Sequence, residues 1–156
     1  MSFVLEIYHA VQACGSVYLA LLSAMAIYNL RQWEPETESA SRYSNTAARQ
    51  LHKTRTTQTS GVLATLASLV SSIILVVAVS SGRNTMPFLL SAANAGGLVL
   101  AYNHISNFWR SRATVPLAST YNEGVRSTKQ MLQALGWLAM SWAAATVIYL
   151  FRAILY

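Results

Sequence analysis

Three histidines, His9, His52 and His104, are the side chains of this 156-residue sequence suited to take or give a proton near neutrality. Each has the chemistry of a general base or a ligand, and each equally suits a helix end. Asn103 and Asn107 stand one helical turn apart, with His104 beside them and Trp109 just beyond. Such a group gathers a polar aromatic ligand or else solvates a helix terminus. His9, Gln12 and Ser16, at spacings of three and four, share one face of an otherwise apolar helix. Polar groups at such a depth point inward, either to bond a neighbouring helix or to line a path for substrate or protons.

What the chain lacks excludes other chemistries. It has no aspartate, and its glutamates all lie outside the long apolar stretches, so a di-iron or paired-carboxylate site among the helices has no ligands. Cys14 is the single cysteine, which rules out an intrachain disulfide and a cysteine-based zinc site. No phosphate-cradling glycine loop, H-E-x-x-H, CxxC pair or nucleophile elbow occurs. Neither a metal nor a cofactor is expected. Haem held between helices would ask for two histidines at similar depth, a condition His52 and His104 meet only if the second helix begins early.

The elements that must position these groups are set by the distribution of charge. Hydrophobic residues make up 54% of the chain and charged residues 10%, against roughly a quarter charged in a soluble domain. Four stretches carry no charge at all: Ile7 to Leu30, Thr56 to Gly82, Asn84 to Trp109 and Gln130 to Phe151. Each meets the roughly 20 helical residues needed to cross hydrocarbon about 30 Å thick. The expected fold is all-α, a four-helix transmembrane bundle forming one domain over residues 1–156. Its spans fall at about 7–30, 58–80, 86–109 and 130–152, separated by basic loops at 31–57 and 110–129.

Net charge is +6 and the pI about 9.8, but the placement of that charge speaks of topology, not nucleic acid. All but two of the eleven Lys and Arg lie in the two long loops, the exceptions being Arg83 and Arg152. The positive-inside rule puts those loops in the cytosol and both termini on the lumenal or extracellular side. The expected location is the endoplasmic reticulum or another internal membrane rather than the plasma membrane. No basic run precedes the first apolar stretch and no small-residue cleavage site follows it, so that span is expected to stay in place.

Pro35 is expected to end the first helix, with Glu34, Glu36 and Glu38 in a solvated turn and Ser41 to Thr57 as a partly helical connector. Ser81 to Thr85 predict a tight hairpin between antiparallel helices. Pro116 and Gly124 break the second basic loop, and the last helix should start near Ser127. Small residues at four-residue spacing predict close seams on every helix: Ser16, Ala20 and Ala24; Ser60, Ala64, Ser68 and Ser72; Ala93 and Gly97; Ser141 and Ala145.

In layout, the chain resembles the small four-span membrane proteins that include fungal anthrone oxygenases. The matching residues are His52 to Gly61 entering the second span, Asn103 and Asn107 closing the third, and Asn122 with Arg126 opening the fourth. The approach to the second span differs, reading Leu51-His52-Lys53-Thr54 with no proline. The resemblance implies a cofactor-independent monooxygenase of secondary metabolism that oxidises an aromatic polyketide with molecular oxygen. An electron-rich acidic substrate supplies its own electrons to oxygen once a base removes a proton. On this reading His52 or His104 is the base, and Asn103, Asn107 and Arg126 bond the substrate's oxygens.

A different class fits the same sequence: a non-catalytic membrane subunit or assembly factor, whose partners are the lipid bilayer and other membrane proteins. It needs only spans, seams and a basic face. A transporter or channel is disfavoured because no charge lies inside the spans and no helix is interrupted.

Overall fold

Helices occupy nearly all of the computed structural model, which describes residues 2–78, 85–110, 112 and 118–155. α1 runs Ser2–Ser41, α2 Asn45–Ala78, α3 Thr85–Trp109 and α4 Ser119–Leu155, with no strand among the described residues. Each helix is long and apolar enough to cross a membrane. Only 28–33% of each apolar window is buried inside the bundle. The remainder, including Val11, Leu21, Leu63, Val70, Leu100 and Ile154, forms an apolar exterior far too continuous for water. The protein is a multi-pass membrane protein.

The helices alternate in direction around a ring, α1 against α2 and α4, and α3 against α2 and α4. Antiparallel register follows from the contacts: Ser16 meets Ser68, while His9 meets Tyr149 and Gly124 meets Leu30. The termini therefore share one end, and the α1–α2 connection shares the other with the end of α3 and the start of α4. Leu19, Leu75, Leu98, Ile105, Leu135 and Trp142 fill the centre.

Three of the four helices extend past their apolar spans. Hydropathy marks only the part of a helix that hydrocarbon requires. α1 continues through Pro35 to Ser41, where the sequence had suggested a stop. Proline removes one intrahelical hydrogen bond, but Pro35 is exposed beyond the span, where water can serve the freed carbonyl. Ser39 Oγ then donates to the Pro35 carbonyl at 3.0 Å, and Glu34 is tied to α2 by Arg55 Nε at 2.7 Å. The acidic cluster is thus a stretch of helix rather than a turn. The connection to α2 shortens to a turn at residues 42–44.

Gly124 likewise does not break a loop. It is buried within α4, where a Cβ would stand 2.6 Å from Leu30 Cγ, so α4 and α1 approach closely there. The seams predicted for α1, α2 and α4 are partly realised: Ser16, Ser68, Ser72 and Ala145 are fully buried. That of α3 is not. Ala93 and Gly97 face outward, and a Cβ at Gly97 would have no neighbour within 4 Å. α3 instead turns Ser91, Asn94, Leu98 and Ile105 to the core. The expected hairpin at Ser81 to Thr85 and the break at Pro116 lie largely or wholly outside the described residues.

Candidate functional site

Two polar clusters stand out among the described residues, one closed and one open. The closed cluster lies toward the termini and joins α1, α2 and α4. His9 Nδ1 is 2.7 Å from Gln12 Oε1, and its Nε2 is 2.7 Å from the Tyr149 hydroxyl. An amide oxygen only accepts, so Nδ1 carries the proton and Nε2 accepts from Tyr149. Gln12 Nε2 then donates to Ser141 Oγ at 2.9 Å, Ser141 donates to Tyr8 Oη at 3.1 Å, and Tyr8 donates to the Ser141 carbonyl at 2.7 Å. Each donor in the sequence has one acceptor.

A second branch follows the same logic. Ser16 Oγ donates to the Gln12 carbonyl at 2.9 Å, so across the 2.8 Å Ser16–Ser68 contact the proton comes from Ser68. Ser68 in turn accepts from Trp142 Nε1 at 2.8 Å. The strip His9, Gln12 and Ser16 legible in the sequence therefore bonds neighbouring helices. Its hydrogen bonds are internal, and His9 and Ser16 are completely buried.

The open cluster lies at the opposite end, where all four helices line a cavity of about 240 Å³. α1 contributes Trp33 and Glu34, α2 Gln50, α3 Phe108 and Trp109, and α4 Tyr121, with Arg112 following α3. The aromatic walls are fixed. Trp109 Nε1 donates to Thr57 Oγ1 at 3.0 Å, its ring meets Phe108 edge-on, and Trp33 lies 5.8 Å from Tyr121. Trp and Tyr belong at this depth, where one edge is apolar and the other wet.

Arg112 gives the cavity its charge. Its guanidinium carbon stands 4.4 Å above the Phe108 ring, and Nη2 donates to Gln50 Oε1. Its Nε–H is shielded from solvent and has no hydrogen-bond partner among the described residues. An unpaired buried donor costs about 1–3 kcal/mol. Glu34, also on the wall, is bonded by Arg55, and that contact moves the Arg55 guanidinium further above its ordinary range.

The residues singled out from the sequence fall around this cavity rather than in it. His104 and Asn107 are exposed and line an adjoining groove with Lys53, Phe108 and Arg112. Phe108, Arg112 and Gln50 are common to both spaces. Asn103 faces a different groove, shared with Asn107, Arg110 and Lys129. His52 and Arg126 are exposed and line none of these spaces. α2 does begin early, at Asn45, but His52 and His104 both present exposed imidazoles instead of facing each other inside the bundle. Among the described residues no three His, Cys or acidic side chains gather as metal ligands.

Sequence reasoning missed Trp33, Gln50, Arg112 and Tyr121 as one site. The available signal was the recurrence of Trp33, Trp109 and Tyr121 at the same end of three spans. Comparison with protein-family models, curated proteins and solved structures found no match to this chain. Function is argued from the site itself.

Proposed function

We propose that this protein binds a small planar aromatic anion or phenol at the membrane interface, in the cavity at the basic end of the bundle. The observation that carries the reading is Arg112: a half-buried guanidinium on the cavity wall, sharing that wall with the rings of Trp33, Phe108, Trp109 and Tyr121. Flat rings stack on such walls, and a carboxylate or phenolate oxygen completes the guanidinium's hydrogen bonding. At about 240 Å³ the space is larger than a cavity of about 150 Å³ that holds benzene, and below the roughly 300–1,000 Å³ of drug-sized sites. The ligand is therefore of one or two rings, or projects from the mouth.

The basic end faces the cytosol on this reading, because the flanking Lys and Arg of both connections collect there, and ligand enters from that side. The test is saturable quenching of tryptophan emission by 2-naphthoate added to purified protein in neutral detergent. Arg112→Leu should weaken binding about tenfold, equivalent to about 1.4 kcal/mol for one charge-assisted hydrogen bond. Quenching that does not saturate, or unchanged affinity in the variant, would refute the site.

A catalytic reading is favoured by one further observation, the position of His104 and Asn107 across Phe108 and Arg112 from the cavity. In it, His104 takes a proton from the activated methylene of an anthrone, Asn107 and Arg112 hold the resulting phenolate, and the electron-rich ring reduces O₂. One oxygen atom enters the product as the quinone carbonyl and the other leaves as water. Membranes containing the protein should accelerate quinone formation from an anthrone under oxygen, and His104→Ala should remove the acceleration. A rate equal to the spontaneous background would sink this reading while leaving the binding site intact.

A further inference from the structure

A second groove lies on the outer surface between α3 and α4 and has two chambers. The one nearer the basic end is about 470 Å³ and carries Asn103, Asn107, Arg110 and Lys129. The deeper one is about 370 Å³, with an apolar floor of Gly136, Ala139 and Ala143 and Trp137 at its side. Tyr102, Leu132 and Gln133 line both, so the chambers adjoin.

The polar chamber holds two cations and no acidic residue. Neither Arg110 nor Lys129 has an ion-pair partner among the described residues. Gly136 lines the deeper chamber, and the Tyr102 ring stands 3.7 Å from where its Cβ would be. Trp137, in the body of the span, is 72% exposed, an unusual position for an indole whose N–H wants a polar partner. From Arg110 to Val99, the deepest α3 residue of the groove, the helix descends about 16 Å at 1.5 Å per residue. Half of a hydrocarbon core of about 30 Å is about 15 Å. The groove is one leaflet deep.

We infer that this groove is a binding site for an anionic phospholipid, its phosphate between Arg110 and Lys129 and one acyl chain lying along Gly136, Ala139 and Ala143 beside Trp137. Charge selects the headgroup, and the match of groove length to leaflet thickness selects a lipid over a soluble anion. Asn103 and Asn107 bond the headgroup's remaining oxygens.

The test uses the intact protein in vesicles containing brominated phosphatidylglycerol or, separately, brominated phosphatidylcholine, with the Trp137 contribution obtained by difference from Trp137→Phe. Phosphatidylglycerol should quench Trp137 at about twenty-five-fold lower mole fraction than phosphatidylcholine, about fivefold for each of the two cations. Arg110→Gln and Lys129→Gln should each reduce that preference about fivefold. Equal quenching by the two lipids, or a preference that survives the double substitution, overturns the proposal. Inorganic phosphate at millimolar concentration supplies the second arm. Failure to relieve the quenching is expected of a lipid site, whereas full relief would mark a site for a free anion and refute the lipid.

Discussion

Ser68 is the residue on which three helices depend in the closed polar cluster. Its hydroxyl accepts from Trp142 Nε1 at 2.8 Å and donates to Ser16 Oγ at 2.8 Å. Ser68→Ala removes one oxygen and leaves the Trp142 N–H without an acceptor in a place where Trp142 is 0% exposed. Such an orphaned donor costs about 1–3 kcal/mol, and coupling energies between membrane helices reach about 1.7 kcal/mol, so a loss of about 1.5 kcal/mol is expected. Ser72 provides the control on the same helix face. It is also 0% exposed, but its hydroxyl only donates, at 2.8 Å, to the Ser68 carbonyl of its own helix. Ser72→Ala strands no partner on another helix and should cost less than about 0.5 kcal/mol. Unfolding in mixed micelles by increasing SDS, followed by circular dichroism, gives both values. Ser68→Ala combined with Trp142→Phe should show coupling near 1 kcal/mol, because the second change removes the donor that the first strands. Equal effects of Ser68→Ala and Ser72→Ala, together with additive double substitution, would show that the bonds carry no net stability and that apolar packing alone holds α2 against α4.

Gly124→Ala places a Cβ 2.6 Å from Leu30 Cγ and should cost about 1–3 kcal/mol through overpacking; Leu30→Ala in the same chain should recover part of that loss in the same unfolding measurement. Gly97→Ala meets no atom within 4 Å and should be neutral or stabilising by up to about 1 kcal/mol through helix propensity, unless a partner helix covers that face. Glu34→Gln breaks the ion pair with Arg55, whose side chain is 51% exposed, and should change stability by less than about 1 kcal/mol, with any effect fading as salt is raised. For orientation, Ser44→Cys and Ser119→Cys in a Cys14→Ser background should react with a membrane-impermeant maleimide from the cytosolic side; labelling of both from the other side would reverse the assignment.

The spans were legible because hydrocarbon imposes one unambiguous demand, a run of about 20 residues without charge. Beyond the hydrocarbon that demand lapses, and so did the reading. Residues 36–41 and 119–126, expected as a turn and a loop, are helical, and 45–57, expected as a partly helical connector, are helical throughout, held by contacts such as Glu34 to Arg55 and Leu30 to Gly124 that join positions far apart in the chain. Pro35 and Gly124 carry their usual local meaning only where no such contact overrides it. The inward strip of His9, Gln12 and Ser16 was readable from periodicity alone, since all three are buried; the partners Tyr149, Ser141 and Ser68 were not. For the cavity, the sequence shows depth but not direction around the helix axis. Trp33, Trp109, Arg112 and Tyr121 all belong at an interface, and only packing aims them at one point. His104 and Asn107 were recognised as polar groups near a helix end, while the division of His104 from Asn103 into different grooves, with Asn107 on both, depends on how α3 packs between α2 and α4.

The two polar clusters also explain why the termini end of the bundle is a poor place for chemistry despite its buried histidine. There, His9 has both ring nitrogens engaged at 2.7 Å, and the donors that follow, through Gln12, Ser141 and Tyr8, are spent on one another. A substrate could reach His9 only by displacing Gln12 or Tyr149, which would leave a buried polar group unpaired at a cost of about 1–3 kcal/mol. At the other end the half-buried Arg112 guanidinium lines an open cavity, so a ligand meets a cation without entering a closed hydrogen-bond network. Stability and binding are therefore carried by different residues. Substitutions at Ser68, Trp142 or Tyr149 should lower the midpoint of unfolding while leaving the affinity of the folded protein for an aromatic anion unchanged, and Arg112→Leu should do the reverse, removing an unpaired buried donor while weakening binding about tenfold.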